Sequence, residues 1–271
     1  MNQTIVAMQA ATHSVLLRAS VTVVAVSLLA GVIAGVVGFG GAVLLLPVLA
    51  FAVGERDAAI VLTVASLMGN ASRAFFSRHD IQWEVVTKYC IGAIPCAAIG
   101  SFVFTKLDSE YLKVVFGIFL WGMVVARRWL LPKLGANANA YEKDEGEGFV
   151  MKLNHFIVLG ALMGGLSGIV STTGPINAPF YLLYGLTGGA YLGTEAVGAA
   201  IVHAVKMVFY RKLDAAPVHV IVQGFAVGCV LTLGSFVGKK IVDRIHDKRV
   251  FVVVVEAALV LSGALMVFLR F

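Results

Sequence analysis

Charge is what this sequence has least of. Only 13% of its 271 residues are Asp, Glu, Lys or Arg, against about 25% in an ordinary soluble domain. From Ala19 to Gly54 there is none at all. Long polar segments are missing too. The longest, 132–152, is linker-sized and leaves no room for a separate soluble domain. Cysteine is scarce: Cys90, Cys96 and Cys229 sit in apolar segments without metal-ligand spacing. That favours buried packing over redox or metal chemistry. No GxxxxGK[ST] run occurs, so nucleotide hydrolysis has no support. No nucleophile–base pair, paired-carboxylate spacing or His/Cys cluster stands out either. The expectation is a non-enzyme with no cofactor and no bound metal.

What is present is apolar: 59% of the chain. The net charge of +6 reads as the Lys/Arg bias of membrane loops. No basic run is interleaved with aromatics, so nucleic acid is not an expected partner; the lipid bilayer is. The apolar segments fall at 15–37, 42–53, 58–76, 85–104 and 112–129, then 156–170, 176–186, 191–210, 218–237 and 250–268. The polar linker between the two sets carries Asn137, Asn139 and the acidic residues Glu142, Asp144, Glu145 and Glu147. The second segment of each set is too short to span at about 1.5 Å per residue. The expected fold class is an all-α polytopic membrane protein with about 8–10 membrane segments, some of them short, re-entrant or broken.

The two sets repeat. Gly31, Gly35 and Gly41 match Gly164, Gly168 and Gly174 at constant offset, and Pro47 then matches Pro179 after one deletion. Ser77–Asp80 falls opposite Arg211–Asp214, each after an aromatic pair. Gly100-Ser101-Phe102-Val103 recurs as Gly234-Ser235-Phe236-Val237. The expected organisation is a first repeat over 1–130, a linker over 131–152 and a second repeat over 153–271. Counting Lys and Arg by loop does not separate parallel from inverted repeats. Inversion is preferred because it brings two broken segments from opposite faces to one midplane site.

The first segment breaks at Gly38, Gly40 and Gly41; its counterpart reads Ser171-Thr172-Thr173-Gly174-Pro175-Ile176-Asn177. Backbone freed by such breaks must be satisfied by protein, water or ligand. Both loops precede a short helix, whose N-terminus suits an anion. The hydroxyls of Ser171, Thr172 and Thr173 and the Asn177 amide add neutral donors. The pairs Gly31/Gly35 and Gly164/Gly168 read instead as close helix packing.

Two segments carry a polar residue and a cation three apart: Asn70 with Arg73, and His203 with Lys206. Such spacing makes neighbours on one helix face. Two readings stand for each pair: a charge placed inside the membrane for function, or a side chain reaching to the interface. Glu256, within FVVVVEAALVL, is the proton-coupling candidate, because charge is costly in hydrocarbon; a structural pair with a cation such as Lys206 is the other reading. Glu195 reads as an interfacial residue at a helix start. His13, His79, His155, His219 and His246 lie at segment ends and read as solvated.

Two stretches, GVVGFGGAVLLLPV from Gly35 to Val48 and DAAIVLTVASLMGNASRAFF from Asp57 to Phe76, together with Gly100-Ser101, carry a resemblance. Gly174, Pro179, Lys206 and Gly234 continue it in order. The chain resembles the TauE/SafE sulfite-exporter family, also called toluene-sulfonate uptake permeases. The resemblance implies a multi-pass bacterial inner-membrane transporter built by duplication, with members moving sulfite, sulfonates, sulfoacetate and related anions. The stretch SGIVSTTGPINAP from Ser167 to Pro179 departs from the glycine-rich run of many relatives. The expected function is secondary transport of a small sulfur-containing anion, coupled to a proton or cation. The alternatives are a passive anion channel in the same scaffold, or a membrane assembly or sensor subunit without flux.

Overall fold

The structure, a computed structural model, describes residues 22–32, 41–130, 151–171, 173–242 and 260. Apolar runs with helix-forming residues and no strand-type alternation fold here as helices, and no strand occurs among the described residues. In chain order these are α1 (Thr22–Val32), α2 (Gly41–Val53), α3 (Glu55–Phe76), α4 (Trp83–Lys106) and α5 (Ser109–Val125). A π-helical turn, Ala126–Leu130, extends α5. After the linker come α6 (His155–Val170), α7 (Gly174–Leu183), α8 (Gly188–Lys212) and α9 (Val218–Val242). Four are long and apolar enough to cross a bilayer: α3, α4, α8 and, over Val218–Val237, α9. With 13 and 10 residues, α2 and α7 reach only about 20 and 15 Å. The chain is thus all-helical and polytopic, with short helices beside spanning ones. Large apolar side chains such as Ile99, Leu162, Val222 and Leu233 are exposed on the outside, where lipid rather than water suits them.

Packing runs across the linker rather than within either side of it. The main partners are α4 with α6, α3 with α9, α3 with α8, and α4 with α8. Small residues permit this. A methyl on Gly100 would lie 2.3 Å from the Gly165 carbonyl oxygen and 3.0 Å from Gly168 Cα. On the other side, a methyl on Gly234 would lie 2.4 Å from the Leu28 oxygen and 2.9 Å from Gly31 Cα. Close backbone approach of this kind gives helices in lipid the dispersion contact that helps them associate. The close-packing expectation therefore holds for Gly31, Gly164 and Gly168; Gly35 lies outside the described residues. The two crossings share one geometry but differ in register: Gly234 meets Gly31, whereas Gly100 meets Gly168, one helical turn beyond Gly164.

Candidate functional site

The break between α6 and α7 is where the sequence's hydroxyl cluster meets its buried cation. α6 ends at Ser171, which turns into the left-handed region at φ 74°. That conformation is unfavourable for a residue with a Cβ, so neighbours must hold it. Ser171 is fully buried and pinned from two sides. Its hydroxyl donates to the Ala59 carbonyl of α3 at 3.1 Å. Its carbonyl accepts from Lys206 Nζ of α8 at 3.1 Å. One turn further along α8, the Tyr210 hydroxyl donates to the Gly168 carbonyl at 2.9 Å. The last carbonyls of a helix lack intrahelical partners, and a cation is favoured there. Lys206 and Tyr210 thus complete the end of α6 from a neighbouring helix.

Lys206 is 0% exposed. Among the described residues no carboxylate lies within ion-pair distance of it. The interfacial reading of Lys206 is therefore corrected: its ammonium is turned inward, onto the broken helix. By contrast Arg56, on the outer part of α3, caps the end of α4 by donating to Leu107 O at 2.7 Å.

At the start of α7 the donors are fewer than a helix N-terminus usually offers. Pro175 has no N–H, and Ile176 and Asn177 already donate to the Thr173 carbonyl, each at 3.0 Å. Thr173 and Asn177 are buried, and Asn177 Oδ1 has no hydrogen-bond partner among the described residues. The full positive charge facing this break is Lys206. Gly41 opens α2. Gly38, Gly40, Thr172 and Glu256 lie outside the described residues.

Lys206 belongs to a polar seam between α3 and α8. Along α3, Thr63, Ser66, Asn70 and Arg73 recur at helical spacing on one face; the first three are buried. Along α8, Glu195, His203, Lys206 and Tyr210 do the same, all buried. Arg73 hydrogen-bonds the Asn70 side chain, as neighbours on one face should. It also pairs with Glu195, Nη2 to Oε2, at 3.2 Å. The geometry there is a charge contact rather than an aligned hydrogen bond, since Oε2 makes none. Among the described residues, the charges acting on His203 are Lys206 and Arg73, both positive. His203 Nδ1 and Ser66 Oγ are buried without a partner among the described residues. Buried polar atoms of this kind call for water or ligand.

So the structure brings Lys206 to Ser171 at the α6–α7 break and Arg73 to Asn70 and Glu195 along the α3–α8 seam, with His203 buried on the same face of α8 and Thr173 and Asn177 buried at the start of α7. It corrects the reading of Glu195, whose side chain is 3% exposed and held inside by Arg73. Sequence reasoning placed Glu195 at the interface and missed Ser66 and Tyr210. The signal was available in the seven-residue step from Ser66 to Arg73 through Asn70, and in the matching face of α8.

The sequence of this chain has known counterparts. The family model described as "Sulfite exporter TauE/SafE" matches residues 23–266. A "Probable membrane transporter protein" of Xylella fastidiosa strain Temecula1 is 28% identical over 125 residues, 43% of this chain and 47% of the relative. Its namesake from strain 9a5c is 27% identical over 125 residues, with the same coverage. The match thus spans about half the length of those relatives. No solved structure matches. With the family model covering all but the two ends, the chain belongs to the TauE/SafE sulfite exporter family.

Proposed function

We propose that this protein is a secondary transporter of a small sulfur-containing anion such as sulfite, sulfoacetate or a related organosulfonate, across a bacterial inner membrane. The observation that carries the reading is Lys206: fully buried, on a spanning helix, 3.1 Å from the carbonyl at a helix break. An ammonium buried with no carboxylate beside it among the described residues is costly, and an anion beside it offsets that cost. Lys206, His203, Asn70 and Arg73 with the hydroxyls of Ser171, Thr172 and Thr173, Gly174 and Asn177 form the binding set, completed by Gly38, Gly40 and Gly41 of the first break. Glu256, which lies outside the described residues, is the coupling candidate that the sequence offers by itself.

The chain works as two halves, 1–130 and 153–271, joined by the linker 131–152. The matched crossings of Gly234 on Gly31 and Gly100 on Gly168 support duplication with each half lending a helix to the other. They fit inverted repeats rocking about a central site. Counterflow in liposomes preloaded with sulfite, sulfoacetate, taurine or sulfate tests the reading. Trans-stimulated, saturable uptake of one of them supports a carrier. Unsaturable current means a channel, and no flux in folded protein overturns transport.

A further inference from the structure

Three acidic or basic side chains are buried among the described residues, and all sit on α8: Glu195, His203 and Lys206. Lys206 serves the anion site. Glu195 lies about three turns away on the same face, some 16 Å along the axis at about 1.5 Å per residue. Among the described residues it is the one buried acid; the others are half-buried or exposed. Its partner Arg73 is 35% exposed while Glu195 is 3% exposed. The pair therefore runs from the surface of the protein at Arg73 to its interior at Glu195.

What could bind at such a pair is limited by access and by sign. Tyr89, Tyr181, Tyr191, Thr194 and Ala196 are all buried and the Glu195 side chain is 3% exposed, so an organic solute has no open access to the carboxylate. The carboxylate itself repels an anion. A metal cation would face the guanidinium 3.2 Å from the same oxygen. A proton needs no volume and meets neither obstacle. Breaking a buried pair by neutralising one partner is strongly unfavourable unless the other charge finds a new partner.

We infer that Glu195, in its pair with Arg73, is the proton-binding site that couples anion movement to a proton gradient. The inference rests on the anion-carrier reading above. A proton from water on the source side forms an O–H bond on Glu195 and removes its charge. Arg73 keeps its own charge, held in place by Asn70, and the seam gains one net positive charge. The anion entering beside Lys206 balances it. On the far side the anion leaves, Arg73 re-pairs with Glu195, and the O–H proton returns to water there. No other bond forms or breaks. The titratable groups facing Glu195 are Arg73 of α3, Tyr89 of α4 and Tyr181 of α7. Tyr191 and His203 share its helix, and 156–170 of α6 carries no titratable side chain.

The test uses the full chain in liposomes with the membrane potential clamped at zero. Labelled sulfoacetate is the probe, because its charge is constant between about pH 6 and 8. With the outside one unit more acid, wild type should accumulate it about tenfold per coupled proton. Glu195→Gln should keep counterflow exchange within about threefold of wild type and lose the accumulation. Glu195→Asp, which keeps a carboxyl at shorter reach, should retain accumulation with a displaced pH profile. That variant decides the matter if Glu195→Gln does not fold. Accumulation by Glu195→Gln, an undisplaced profile for Glu195→Asp, or accumulation driven by sodium instead of protons would overturn the inference. Wild-type exchange without any proton response sinks this inference alone; no exchange sinks the carrier reading and this with it.

Discussion

Lys206 Nζ reaches across from α8 to the carbonyl of Ser171 at 3.1 Å, so the cation and the break in the helix are one unit. Removing the ammonium removes both a charge and a cap. For Lys206→Ala we expect initial uptake rates to fall about 10- to 100-fold, the range of one charge-assisted hydrogen bond. Folded protein should still elute as wild type in size-exclusion chromatography. Lys206→Arg keeps the charge but not the compact ammonium. Its expected signature is a raised half-saturation concentration, read from uptake curves.

Ser171 is held at φ 74°, and its hydroxyl bonds Ala59 at 3.1 Å. Ser171→Ala loses the bond and keeps the unfavourable backbone. Ser171→Gly loses the same bond but relieves the backbone by about 1 kcal/mol. Thermal unfolding in detergent should therefore rank wild type first, then Gly, then Ala. A Gly variant less stable than Ala would show that the left-handed turn is not maintained.

The helix crossings predict a contrast between glycines. A methyl at Gly100 would lie 2.3 Å from the Gly165 oxygen, backbone that cannot swing away. Gly100→Ala should cost about 2 kcal/mol or more. At Gly122 nothing lies within 4 Å of the same methyl. Gly122→Ala should be neutral or slightly stabilising, since alanine favours helix. Melting temperatures of the two variants in one detergent decide the point.

The Arg73–Glu195 pair at 3.2 Å should show coupling in a double-mutant cycle. Arg73→Gln leaves the buried carboxylate without its cation. The double variant with Glu195→Gln removes both charges and should regain about 1–3 kcal/mol of that loss. Unfolding measured for all four proteins gives the coupling directly. Additive effects would mean that the two charges do not interact.

Much of the scaffold was legible locally. Uncharged runs, a polar linker and glycine or proline breaks are properties of short windows. The expected segments 58–76, 85–104, 156–170, 191–210 and 218–237 accordingly lie within or closely match α3, α4, α6, α8 and α9. The face shared by Asn70 and Arg73 was legible for the same reason: helical periodicity alone makes them neighbours. Glu195 was misread because eight residues into a helix looks interfacial when its partner, on another helix, is unknown.

What the sequence determined by itself was therefore a set of membrane helices, their breaks, and the residue types that line one face of each. Only the tertiary structure decided that Gly168 receives Gly100 while Gly31 receives Gly234, that Arg73 holds Glu195 inside, and that Lys206 closes the end of α6. The physical reason is that helix formation depends on neighbours within a turn or two. Pairing between apolar helices depends on small-residue fit between segments far apart in the chain. Many glycines could serve as such contacts, and backbone geometry selects among them.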